Sequence, residues 1–232
     1  MAGGGGGSGR KLVELFYDVV SPYSWLGFEV LCRYRSIWNI DVRLRPGFLG
    51  GIMKESGNQA PALVPRKGVY MEQDLRRLAS YYQVPLKQPR DFFEAVIKKG
   101  SLPAMRFVTA VDMQHPEFVE PVSRELWKRI WSADEDITQP ESILSAAEKA
   151  GLPTEEAQKL LEMASSPEVK NRLKGSTEEA LKYGAFGMPT IVAHVKGEPH
   201  LYFGSDRFEL LANLLGEKWL GPLPVVKTKS HM

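Results

Sequence analysis

The feature that most limits the fold of this chain is a long helical stretch enclosed on both sides by β pattern. Residues 12–20 carry Leu12, Val13, Leu15, Phe16, Tyr17, Val19 and Val20, the near-continuous apolar run of a buried strand. Residues 41–46 alternate as a second strand, and Trp25, Phe28, Leu31 and Cys32 recur between them at helical spacing. β pattern then stops until residues 190–195, Thr-Ile-Val-Ala-His-Val, which open a hairpin with a turn at 196–199 and a strand at 200–203. A helix at 208–215, closed by Gly216, completes the pattern. Two strands at either end are too few to stand alone, so the ends must meet in one sheet.

Residues 61–182 are too long for a loop and read as helices throughout. Met71, Leu75, Leu78, Ala79 and Tyr82 share one stripe. Val122, Leu126 and Ile130 share a second, with Trp127 and Trp131 beside it, and Val169, Leu173, Thr177, Ala180 and Leu181 a third. Prolines at 85, 89, 103, 116, 140, 153 and 167 mark helix boundaries. The order β-α-β, helices, β-β-α is that of an α/β thioredoxin-like domain with an inserted all-helical domain. The expected boundaries are 11–60 and 183–222 for the thioredoxin-like part and 61–182 for the insertion. Residues 1–10, with five consecutive glycines, read as a disordered tail, and 223–232 as an irregular one. The first ten residues lack the apolar stretch of a secretory signal and the amphipathic basic face of a mitochondrial presequence.

Charge and cysteine content narrow the function. Lys plus Arg is 30 against 28 Asp plus Glu, and this near balance argues against nucleic acid or an anionic membrane as the main partner. Cys32 is the single cysteine, which removes a CxxC redox pair, an internal disulfide and a cysteine zinc site. The four histidines are scattered, so no metal site is expected, and no uncharged run approaches a membrane span.

Three motifs could carry chemistry. Ser21-Pro22-Tyr23-Ser24 sits at a strand-to-helix turn, where a thioredoxin-like plan would place its two cysteines. Both are serine here, so any thiolate must come with a small molecule. The helix N-terminus would favour that thiolate through its open N–H groups and positive dipole end. Taken alone, the same spacing is met by Ser21 as a plain N-cap and Pro22 as a first helical residue. Phe186-Gly187-Met188-Pro189-Thr190 enters the returning strand. A cis proline there would turn the Met188 backbone toward a ligand, whereas a trans proline would merely start the strand. In Phe203-Gly204-Ser205-Asp206-Arg207, Ser205 or Asp206 caps the last helix, or the pair holds the head of an α-amino acid. Cys32, on the apolar stripe, reads as core.

Residues 14–29, 183–189 and 203–207 together closely resemble the kappa-class glutathione transferases, and the likeness extends over about residues 11–222. The wider family includes the 2-hydroxychromene-2-carboxylate isomerases and periplasmic disulfide oxidoreductases. The resemblance implies glutathione as co-substrate, with no further cofactor. It assigns Ser21 as the catalytic serine that holds the glutathione sulfur, with Pro22 and Tyr23 as the next contacts. It assigns Asn58 as a further contact, Lys67 to the glycyl carboxylate, Met188 to backbone pairing, and Ser205 and Asp206 to the γ-glutamyl group. Arg207 stands next to these, and Met188 replaces a leucine found in many members.

The function expected on this basis is conjugation of the glutathione thiolate to a hydrophobic electrophile in a detoxifying reaction. Peroxide reduction is compatible with the same thiolate. The rivals are a glutathione-dependent chromene-type isomerase and a non-catalytic glutathione-binding module assisting protein assembly. The resemblance also implies a homodimer placed in peroxisomes, mitochondria or both. The tripeptide Ser230-His231-Met232 is a weak version of a peroxisomal address.

Overall fold

The computed structural model describes residues 9–225. The expected tail at 1–10 therefore lies almost wholly outside the described residues, as do the tripeptide at 230–232 and most of the expected C-terminal tail.

The chain begins with β1 (Lys11–Tyr17), α1 (Pro22–Tyr34) and β2 (Ile40–Pro46). Then follow α2 (Leu49–Ser56), α3 (Pro65–Tyr82), a π-helical turn (Phe93–Lys99), α4 (Leu102–Gln114) and α5 (Val119–Trp131). The sequence continues with α6 (Pro140–Lys149), α7 (Thr154–Met163) and α8 (Pro167–Lys182). It closes with β3 (Thr190–Val195), β4 (Glu198–Phe203) and α9 (Phe208–Leu215). The four strands form one sheet in the order β2-β1-β3-β4. β1 pairs parallel with β2 (Val13 opposite Val42) and antiparallel with β3 (Leu15 opposite Ile191), so the two ends of the chain do meet in its middle.

Both faces of β1 are covered, which is why its apolar run is nearly unbroken. Val13, Leu15 and Tyr17 join a core that continues from the sheet through α1 and α9 into the helices of the insertion. On the opposite face Phe16 packs with Ile52 of α2, Ala180 of α8, and Met188 and Val192. Complete burial of side chains the size of Trp25, Trp127 and Trp131 gives the molecule its largest apolar contribution, at roughly 25 cal/mol per Å² of apolar surface removed from water.

Three local readings need correction. The first strand stops at Tyr17 rather than Val20, because the Asp18 carboxylate accepts the Val20 N–H at 2.9 Å and the Asp18 carbonyl accepts the Ser21 N–H at 3.0 Å. Those bonds bend the chain into a turn. In the hairpin only Lys196 and Gly197 make the turn, both at positive φ (55° and 83°). Pro199 lies inside β4, where the sheet edge tolerates it. Helix α2 has no counterpart in the sequence reading.

Candidate active site

The site starts where β1 delivers the chain to α1. Ser21 is the N-cap in extended backbone (φ −89°, ψ 117°), its hydroxyl accepts the Ser24 N–H at 3.0 Å, and Pro22 fills the first helical position. Capping is thus real, and it does not exhaust the hydroxyl: Ser21 Oγ also donates to the Met188 carbonyl at 3.1 Å. The Met188–Pro189 bond is cis. Helix α1 packs against that proline through Gly27, where a Cβ would lie 3.3 Å from Pro189 Cγ.

The turn before α9 is tied to the same segment. Gly204, at φ 94°, donates its N–H to the Pro189 carbonyl at 3.0 Å. The positive φ is what suits glycine to this position, since the one close neighbour of a Cβ there, Asp206 Oδ1, is the end of an exposed side chain that can move aside. The sequence left open that Ser205 or Asp206 caps α9. The structure corrects this: Arg207 is the N-cap residue and, among the described residues, no side chain caps the helix. Ser205 is buried, and the exposed Asp206 is met at 3.3 Å by Arg207, which turns toward Asp206.

Asn58 follows α2, whose end is set by Gly57 at φ 72°, and its Nδ2 donates to the Phe186 carbonyl at 2.7 Å. Lys67 lies in the first turn of α3 and, among the described residues, has no ion-pair partner. Ser21, Pro22, Tyr23, Asn58, Lys67, Met188, Ser205 and Asp206 all line one cleft of about 610 Å³. That volume is within the roughly 300–1,000 Å³ of small-molecule sites. Its remaining wall is largely apolar, with Leu49, Met53, Met71, Leu78, Phe92 and Val96. Among the described residues Lys67 is the one basic side chain in the lining, which also includes the carboxylates of Asp74 and Asp206.

Four residues of the site neighbourhood escaped the sequence reading. Asp74 lines the cleft and accepts the Tyr23 hydroxyl at 3.1 Å. Burial first, then the charge of Asp74, pushes the Tyr23 phenol well above its ordinary range, so it stays protonated. Asp18, fully buried beneath the turn, accepts from Val20 N–H, Leu49 N–H and the Ser101 hydroxyl, each at 2.9 Å. Burial still pushes its carboxyl up to about 6. Trp127 donates to the Ser21 carbonyl and Tyr82 to the Ser205 carbonyl. A buried indole or phenol usually bonds an acceptor, yet the buried Trp131 Nε1 has none among the described residues, so the sequence marked neither the bonds nor where they end. Cys32 is half-buried against the core, with its thiol pushed up to about 12, chiefly by burial. Among the described residues no group of three or more His, Cys, Asp or Glu could hold a metal ion, and no helix is long and apolar enough to cross a membrane.

Residues 12–216 match the DsbA-like thioredoxin domain. The chain is 62% identical over 214 residues to human glutathione S-transferase kappa 1, covering 92% of this chain and 95% of that protein. It is 60% identical over 218 residues to the Rattus norvegicus protein of the same name, covering 94% and 96%. A solved 2-hydroxychromene-2-carboxylate isomerase superposes with a TM-score of 0.70 at 22% identity, over 88% of this chain and 94% of that one, a likeness of fold. A DsbA-like thioredoxin domain with a helical insertion, serines in place of both cysteines and this extent of identity make the chain a member of the kappa-class glutathione transferases.

Proposed function

We propose that the chain conjugates the thiolate of glutathione to small hydrophobic electrophiles. The observation that carries this reading is the Ser21 hydroxyl at the open end of α1, in one cleft with the Met188 backbone, Ser205, Asp206, Asn58 and Lys67. Glutathione has one thiol, two carboxylates and one ammonium. In this reading Lys67 and Asn58 take the glycyl end, Met188 pairs with the cysteinyl backbone, and Ser205 with the uncapped N–H groups of α9 takes the γ-glutamyl carboxylate. Asp206 takes the ammonium.

The energetics suffice. Lowering a thiol pKa by about two units from ~8.5 takes about 2.7 kcal/mol. A helix N-terminus supplies ~0.3–2 kcal/mol, and a hydrogen bond to a charged acceptor about 1.5–3 kcal/mol. The thiol proton leaves to solvent, so no histidine base is needed. The thiolate then forms a C–S bond with the electrophile. A halide leaves in a substitution, or water protonates the carbanion after an addition. Peroxide reduction uses the same thiolate.

The test is calorimetric titration with glutathione together with conjugation to 1-chloro-2,4-dinitrobenzene. Saturable binding with turnover supports the reading. Binding without turnover makes the chain a binding module, and isomerisation of a chromene carboxylate without conjugation makes it an isomerase. A homodimer, and import into peroxisomes through Ser230-His231-Met232 or into mitochondria, belong to the same proposal. A molecular mass at twice the chain, and loss of peroxisomal targeting on deleting the last three residues, are the expected results.

A further inference from the structure

The helical insertion reaches the cleft through main-chain carbonyls as well as through its lining. Trp127 of α5 donates its indole N–H to the Ser21 carbonyl at 3.1 Å. Tyr82, at the end of α3, donates its hydroxyl to the Ser205 carbonyl at 2.6 Å. Both side chains are buried, so neither polar atom can turn to water instead. The two carbonyls belong to separate parts of the site, the turn before α1 and the turn before α9.

Each bond has a reason to matter. The Ser21 carbonyl also begins the hydrogen-bond ladder of α1, through the Trp25 N–H at 3.3 Å, long for such a bond. The indole is the closer of its two donors and fixes the direction of the 21–22 peptide, and with it the Ser21 hydroxyl. Trp127 is itself held firmly. Its ring lies 4.8 Å from Phe28 and 5.3 Å from Tyr17 by centroids, and parallel to Trp25 within 3°. At the other end α9 has no side-chain cap, so the Ser205–Asp206 turn depends on Tyr82 and on the Gly204–Pro189 bond.

We propose that Trp127 and Tyr82 are positioning residues for glutathione, Trp127 setting the sulfur end through Ser21 and Tyr82 setting the γ-glutamyl end through Ser205. This rests on the glutathione reading above. The two donors act on different peptides, so removing one disturbs ionisation of the bound thiol and removing the other disturbs affinity.

Three purified variants are compared with wild type for glutathione Kd by calorimetry and for the pKa of the bound thiol by thiolate absorbance. Trp127→Phe keeps a ring and loses the N–H. The bound-thiol pKa rises by about half to one unit, conjugation near pH 7 falls about three- to tenfold and partly recovers at higher pH, and Kd stays within about twofold. Tyr82→Phe raises Kd about five- to tenfold and leaves the bound-thiol pKa unchanged. Trp131→Phe, on the same helix and with a buried indole N–H that has no partner among the described residues, controls for lost indole packing and leaves the thiol pKa unchanged. Should Trp127→Phe fold poorly, benzothienylalanine at position 127 preserves the shape with sulfur in place of the N–H, and the same shift is expected. Unchanged values in both variants, or a similar loss of both properties in each, overturn the proposal and leave Trp127 and Tyr82 as packing residues. A wild type that binds no glutathione overturns the functional reading itself, which this comparison registers separately.

Discussion

Ser21 Oγ donates to the Met188 carbonyl at 3.1 Å while accepting the Ser24 N–H at 3.0 Å, so its one proton is already engaged. A thiolate can claim that proton only if the Met188 carbonyl receives another donor. A cysteinyl backbone pairing with Met188 like an added strand brings such a donor, its own N–H. Binding of the tripeptide and release of the hydroxyl toward sulfur are thereby one event. Ser21→Ala should raise the bound-thiol pKa by about one to two units and slow conjugation at neutral pH about ten- to a hundredfold, partly recovered at higher pH. Glutathione affinity should change little. The lost N-cap should also cost about 1 kcal/mol of stability. A titration in which Ser21→Ala keeps the wild-type thiol pKa would reduce Ser21 to a helix cap.

What the sequence revealed of this site, and what it hid, follows from the range of the interactions. The N-cap at Ser21, Pro22 after it, the β3–β4 hairpin and the glycine stop of α9 are written within a few neighbouring residues, and they were legible. Helix α2 was not, because Gly50 and Gly51 look like a loop. Its glycines answer to tertiary packing: a Cβ on Gly51 would lie 3.3 Å from both Phe48 and Thr177. The short motifs around Ser21, Met188 and Ser205 could be named, whereas Trp127 and Tyr82 could not. Their stripe positions read as core, and core they are, yet their polar atoms end on carbonyls 106 and 123 residues away. No periodicity in a helix encodes such a partner.

Ser24 occupies the second cysteine position of the dithiol plan, and its hydroxyl is fully buried without a partner among the described residues. An unmet buried hydroxyl is a cost, and alanine is the better helix former. Ser24→Ala should therefore stabilise the protein by about 0.5–2 kcal/mol and leave conjugation within about twofold of wild type. Urea unfolding and a rate assay check this. A destabilised variant with impaired turnover would place the hydroxyl in contact with the bound sulfur.

Cys32 lies eleven residues beyond Ser21, about 16 Å along the axis of α1. Its half-buried thiol is pushed up to about 12 by burial and by Glu120, against the partial relief of Arg124, so it holds its proton at neutral pH. Cys32→Ala should cost on the order of 1 kcal/mol through a small cavity. The folded variant should conjugate at nearly the wild-type rate. A loss beyond about tenfold in well-folded protein, roughly 1.4 kcal/mol of barrier, would make this a cysteine enzyme.

Asp18 gives the protein a pH dependence of definite sign. Its carboxyl rises from the ordinary 3.8 to about 6 in the folded state, because burial outweighs its three hydrogen bonds. The folded protein thus holds this proton more tightly than the unfolded chain. The stability contributed by protonated Asp18 is full below pH 3.8 and is lost as pH rises through about 6. A difference of about two units corresponds to about 3 kcal/mol. Asp18→Asn removes the titration and loses one acceptor, since its Nδ2 can only donate and its Oδ1 cannot serve both the Val20 N–H and the Leu49–Ser101 pair on the other side. The variant should be the less stable protein in acid, and the gap to wild type should narrow by about 2 kcal/mol between about pH 4 and pH 7. Urea unfolding of both proteins across that range measures it. A gap that stays constant or widens toward neutral pH would mean that Asp18 titrates at or below its ordinary pKa, with its three donors matching or outweighing burial.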